Sequence, residues 1–302
     1  MMTWASLVAR YQLGRELGRG GMGAVYECSC RQTGRRIALK LSTNDLGTVA
    51  QAYCRREAKI AASIHHPNVA RVIGHGVSES QVWIAMEAIE GGTLAERMPL
   101  SSFGLNRRLR VIRDLAAVLA DLHLTGVVHN DLKPANIMFA LDGSLRLIDF
   151  GIADVRGHRT PRALLLAGTP YAIPPEKLIG DSSDHRADIF QLGVLAYDMF
   201  CDHHPWERSN SFGTAYAICT EEPLGFMESL STRSRENPEE MGHLAPLIAA
   251  SLARQPEHRP SSTHTWVTTL DAILATIVEL EEPVWGDTGR LALACPAQPA
   301  GA

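Results

Sequence analysis

Apolar residues change their spacing part-way along the 302-residue chain, and the change divides it. From Tyr11 to Glu27 the pattern predicts strand, glycine turn, strand. Arg36 to Leu41 alternates basic and apolar residues, as a half-buried strand does. Between Ala50 and Ile64 the period turns helical, with Ala58, Ala61, Ala62 and Ile64 on one side and Arg55, Arg56 and Lys59 among the polar positions. Pro67 stops that helix. Val69–Ile73 and Gln81–Ala88 predict two further strands around a turn at Gly74/Gly76. Residues 11–90 thus predict a small β-rich lobe with one main helix.

Gly91-Gly92 breaks the pattern, and residues 91–280 predict a larger, mainly helical lobe. Arg108–His123 places Ile112, Leu115, Leu119 and Leu122 on one face. Short apolar runs at Gly126–His129, Ile137–Ala140 and Leu145–Ile148 fit small strands, and Asp188–Phe200 a central apolar helix. Ser209–Asn237 is polar, poorly periodic and partly looped, while Leu244–Arg254 and Ser262–Leu280 predict two more helices. Residues 1–10 are an extension without the basic start of a signal peptide. The Pro- and Gly-bearing tail, 281–302, predicts disorder or loose packing against the body. The architecture expected is α+β and bilobal.

Four motifs fall in order on this frame: Gly18-Arg19-Gly20-Gly21-Met22-Gly23-Ala24-Val25, Ala38-Leu39-Lys40, His129-Asn130-Asp131-Leu132-Lys133-Pro134-Ala135-Asn136, and Asp149-Phe150-Gly151. A glycine run between strands lets backbone N–H groups approach phosphates. It lacks the Gly-Lys-Ser/Thr ending of a P-loop. A strand lysine supplies a compact cation, and Asn and Asp oxygens suit a hard cation such as Mg²⁺.

Order and residue types together resemble the protein-kinase signature set, and Asp131-Leu132-Lys133-Pro134 the serine/threonine branch. The Gly-Gly-Met-Gly loop is similar to that of bacterial kinases of the eukaryotic (Hanks) type. The resemblance covers about Tyr11 to Leu280 and implies transfer of phosphate from ATP to protein serine or threonine hydroxyls. It implies Asp131 as catalytic base, Lys133 offsetting charge on the moving phosphoryl group, Lys40 on the α- and β-phosphates and Glu57 as its ion-pair partner. Asn136 and Asp149 would hold Mg²⁺. Gly18, Gly20 and Gly23 would cover the phosphates. Leu17, Val25, Ala38 and Met138 would line the adenine site, with Met86 as gatekeeper and Glu87, Ala88 and Ile89 as hinge. Thr169 would contact Asp131 and Lys133. Glu176 would pair with Arg259, and Asp188 would hold the catalytic loop.

One departure stands out: Asn130 replaces the usual arginine before the catalytic aspartate. Asparagine cannot grip a phosphate bidentately. Val155–Pro175 offers only Thr160 and Thr169 as hydroxyl acceptors apart from a tyrosine, beside Arg156, Arg159 and Arg162. Activity independent of loop phosphorylation is therefore expected. Ala163–Ala167 is apolar and a candidate for packing or self-association.

Charge and cysteines narrow the partners. A net charge of −4 gives no general pull toward nucleic acid, and no apolar run is long enough to span a bilayer. Six cysteines without metal spacing read as free thiols of a cytoplasmic protein. A regulatory partner is compatible with this picture. Two other readings use the same residues: a small-molecule phosphotransferase of the aminoglycoside or choline kinase type, and a pseudokinase scaffold. Lys133-Pro134, Asp149-Phe150-Gly151 and the Glu176/Arg259 pair argue against the first, and the complete catalytic set against the second.

Overall fold

The computed structural model describes residues 4–20, 23–43, 48–78, 81–100, 103–150, 153–155, 172–206, 208–231 and 238–277. Thr160, Thr169, the basic and apolar stretch around them, Gly151 and the tail lie outside these residues.

The smaller lobe is an antiparallel sheet of β1 (Tyr11–Gly20), β2 (Gly23–Cys30), β3 (Arg36–Ser42), β4 (Val72–Ser78) and β5 (Gln81–Glu87). The strands lie in the order β1-β2-β3-β5-β4. Strand alternation gives the sheet two apolar faces. Ile37 and Leu39 of β3 and Trp83 and Ala85 of β5 join one cluster with Leu7, Tyr11, Cys28 and Cys30. Val82 and Ile84 of β5 join another with Cys54 and Ala58 of helix α2 (Thr48–Ser63). Lys40 pairs in register with Ile84, so it shares the α2 face.

Helix α1 (Trp4–Arg10) closes the first face, where the sequence predicted only an extension. Its Leu7 is buried, and its Trp4 ring lies 6.3 Å from that of Trp83. The turn expected at Gly74/Gly76 is not there: β4 runs through both glycines. Gly76 is small because Trp83 covers it; a Cβ there would lie 3.0 Å from the indole. Val69, read as the start of that strand, instead bridges to Leu147 of the other lobe.

The larger lobe is built around α4 (Leu105–Leu124) and α6 (Arg186–Cys201), after the short α3 (Leu94–Arg97) and α5 (Pro175–Ile179). Of the residues of α6, only Arg186 and Asp198 escape full burial. Its neighbours are α7 (Ser211–Thr220), α8 (Phe226–Ser229), α9 (Pro238–Ser251) and α10 (His264–Thr276). Helix α7 lies where looping was expected. Asn210 caps it by accepting from the Gly213 N–H at 2.8 Å. It buries Ala217 and Ile218 yet exposes Phe212 and Tyr216, so its apolar period is blurred. Two strand pairs lie beside the helices: β6 (Val127–Val128) with β9 (Asp154–Val155), and β7 (Ile137–Phe139) with β8 (Leu145–Leu147). Cys28, Cys30, Cys54, Cys201 and Cys219 are free thiols, as expected. Among the described residues no helix is long and apolar enough to cross a membrane.

Candidate active site

The sheet aligns the expected nucleotide-binding residues across neighbouring strands. Gly18 pairs with Val25, Val25 with Lys40, and Ala38 with Met86. Leu17 is exposed on β1, and Met138 sits across the cleft on β7. The Glu87 N–H already serves Arg71 O at 3.0 Å, and its carboxylate accepts from the Arg71 N–H. Two glycines of the run differ in why they are glycine. A Cβ at Gly23 would overlap Leu41 O of β3. A Cβ at Gly18 would meet nothing within 4 Å, and no left-handed backbone is needed there. That open space, which a side chain would fill, suits a bound phosphate chain.

Lys40 joins the lobes. Its Nζ donates to Glu57 Oε1 at 2.5 Å and to Asp149 Oδ1 at 2.9 Å. Burial opposes the ammonium charge, but Asp149 and Glu57 outweigh it and raise the lysine pKa. Burial also works against the Asp149 charge, and Lys40 outweighs it, holding this carboxyl below the usual range. Glu57 moves the other way. It is the more deeply enclosed carboxylate, and burial pushes its pKa up against the pull of Lys40.

The catalytic loop lies between β6 and β7. Asp131 Oδ2 accepts from Lys133 Nζ at 2.7 Å and from Asn136 Nδ2 at 2.8 Å. Asn136 is thereby held through its nitrogen, with its amide oxygen as the donor suited to a cation. Asn130 and Asp149 have φ of 69° and 62°, a left-handed conformation that Asn and Asp tolerate better than most side chains. Among the described residues no group of three or more His, Cys, Asp or Glu could hold a metal. Asn136 and Asp149 supply two oxygen donors, a set that nucleotide phosphates and water would complete.

Asp188 bonds to the backbone of this loop. Its Oδ2 accepts from the His129 N–H at 2.8 Å and its Oδ1 from the Asn130 N–H at 2.7 Å. His123 Nε2 lies 2.8 Å from Oδ2. Burial disfavours the Asp188 charge, but the His123 bond and its neighbours win and lower the pKa. Arg259 donates to both oxygens of Glu176, at 2.8 and 2.7 Å, with both side chains buried. Its guanidinium also lies 4.9 Å from the Phe190 ring centroid.

The sequence reading missed two holders of the loop. Gln191 accepts from the Leu132 N–H at 3.0 Å and donates to Asn130 O at 2.7 Å. A lone amide in an otherwise apolar stretch of helix was the available signal. His123, at the end of α4, is the other.

The chain matches the protein kinase domain model over residues 11–269. It is 31% identical over 278 residues to a probable serine/threonine-protein kinase of Streptomyces coelicolor, covering 89% of this chain and 40% of that one. It is 30% identical to serine/threonine-protein kinase pkn3 of Myxococcus xanthus, covering 89% and 50%. The figures for serine/threonine-protein kinase PknB of Mycobacterium tuberculosis are 30%, 86% and 42%. The chain therefore spans about half or less of the length of these relatives. With a cleft of this geometry and a domain match over 259 of 302 residues (11 to 269 inclusive), the chain belongs to the protein kinase domain family.

Proposed function

We propose that this protein transfers the γ-phosphoryl group of ATP to serine or threonine hydroxyls of protein substrates in the cytoplasm. The observation that carries the reading is the joining of both halves of the cleft. Lys40 reaches Asp149 across the lobes, while Asp131, Lys133 and Asn136 are bonded to one another in a single loop.

Asp131 orients the acceptor hydroxyl and takes its proton. Lys133 offsets negative charge on the transferring group, and Lys40, fixed by Glu57, binds the α- and β-phosphates. Gly18, Gly20 and Gly23 bring backbone to the phosphates. Leu17, Val25, Ala38 and Met138 enclose the adenine, with Met86, Glu87 and Ile89 along its edge. Asn136 and Asp149 hold Mg²⁺, which, when bound, neutralises phosphate charge. Thr169 lies in the acceptor-binding segment, and Thr160 is not required for activity because Asn130 offers no grip on its phosphate. A regulatory partner and self-association through Ala163–Ala167 belong to the same reading.

The test is transfer of labelled γ-phosphate to the protein itself and to a generic substrate, beside Asp131→Asn and Lys40→Met. Label on serine or threonine in the wild type alone supports the reading. Mg-ATP binding without label in any of the three would overturn it.

A further inference from the structure

Arg56 and Glu57 are adjacent on α2 and reach into different lobes. Glu57 meets Lys40 of the sheet. Arg56 Nη2, among its contacts, donates to the carbonyl of Ala153 at 3.2 Å, in the other lobe. Ala153 is buried, and its own N–H donates to Phe150 O, next to Asp149 in the chain, at 3.2 Å. The Phe150 ring packs edge-on against His129 of the catalytic loop, centroids 4.8 Å apart. Asp154, next in the chain, pairs with Val128, the residue before His129.

These contacts form a ring. It runs from Lys40 to Glu57, along one helical step to Arg56, on to Ala153 and Phe150, and back through Asp149 to Lys40. Helix α2 thus touches the metal-ligand loop twice, once directly and once through Lys40. A helix turn is stiff, so a movement of α2 that stretches one contact stretches the other.

We propose that Arg56 is a positioning residue for phosphoryl transfer. It latches α2 to the loop bearing Asp149, so that the Lys40–Glu57 pair and the metal ligand form and open as one unit. The proposal rests on the kinase reading above and adds to it a residue that touches neither nucleotide nor acceptor.

The experiment compares wild type with Arg56→Met, Arg56→Lys, Glu57→Gln and the R56M/E57Q double variant. Arg56→Gln replaces Arg56→Met if the latter does not fold. Amide hydrogen exchange is read on the nucleotide-free protein, and activity across a Mg²⁺ titration. Arg56→Met should speed exchange both in α2 and at Ala153–Val155 while the thermal midpoint holds. It should lower kcat/KM about tenfold, the size of one charged hydrogen bond, and raise the Mg²⁺ needed for half-maximal rate. Arg56→Lys should recover part of the loss. The double variant should be no worse than Glu57→Gln, because each single change opens the same ring. Unchanged exchange at Ala153–Val155, or losses that simply add, would overturn the latch. A wild type that transfers no phosphate, with exchange still rising in both segments on Arg56→Met, would sink the kinase reading and leave the latch standing.

Discussion

Asp188 and Asp149 serve one cleft and are held in contrasting ways. Asp188 is fully buried, and three hydrogen bonds within 2.8 Å fix both of its oxygens. Asp149 opens on the cleft with its side chain 36% exposed, and Lys40 is the chief of the groups that lower its pKa. The first is a rivet of the larger lobe, beside Gln191 and the Glu176–Arg259 pair. The second depends on a lysine borrowed from the other lobe. Backbone of the Asp131 loop is thus held by a buried polar network, while Asp149, proposed above to meet the metal, keeps capacity for other partners. Buried hydrogen bonds that fix both oxygens of one carboxylate rigidify what they hold; a pair across a cleft can open and close.

The contrast can be broken in several places. Asp131→Asn should have the largest effect on activity, a loss of about a thousandfold in initial rate with the thermal midpoint unchanged. Asp188→Asn should strike both properties. It removes a buried charge from its donors, costing about 3 kcal/mol in denaturant titrations, and activity falls with the loop. Arg259→Met should cost a similar amount, about 3 kcal/mol, by stranding the buried Glu176 carboxylate. The double change Glu176→Leu/Arg259→Met should recover part of it, which a cycle of midpoints would show. If Arg259→Met alone were neutral, the view of this region as rivets would fail.

The pH dependence of stability sharpens the same contrast. The folded pKa of Asp188 is depressed, so the unfolded chain binds protons more readily. Its stabilisation is complete above the unfolded value, about 3.9, and is lost as pH falls toward the lower folded value. Asp149 has the same sign. Glu57, with a raised pKa, has the opposite one, and its contribution weakens as pH rises through and above about 4.3. Acid titration of Asp188→Asn should therefore show a shallower loss of stability below pH 4 than wild type. The smallest effect is expected at Thr160→Ala, whose transfer rate should stay at the wild-type level.

The cleft was legible from sequence because its chemistry admits few residue types. A strand lysine, an Asp-x-Lys-Pro loop and an Asp-Phe-Gly triplet each answer a stated need of a phosphate chain. What escaped were residues with more than one reading. Gly76 looked like a turn glycine but makes room for an indole on the adjacent strand. Gln191 and His123 were given no role, since hydrogen bonds spanning 59 and 65 residues leave no local trace. Helix α1 is one short helix of seven residues with a single buried side chain, too brief for a period to declare itself. Arg56 was visible only as one of several polar positions. Its partner is a backbone carbonyl 97 residues away, and no side-chain pattern marks that.

Helix α1 also bears on how the protein can be handled. The family domain begins at Tyr11, and a chain trimmed to that point would lose Trp4 and Leu7. The Leu7 side chain alone accounts for about 2 kcal/mol of apolar burial. Its removal would open the apolar cluster that holds Trp83, Ile37 and Leu39, on the far side of the sheet that carries Lys40. Such a face is an adhesive patch. Material cut to the domain boundary should precipitate at lower concentration than the full chain, and a solubility tag placed there would mask the defect without restoring the missing support.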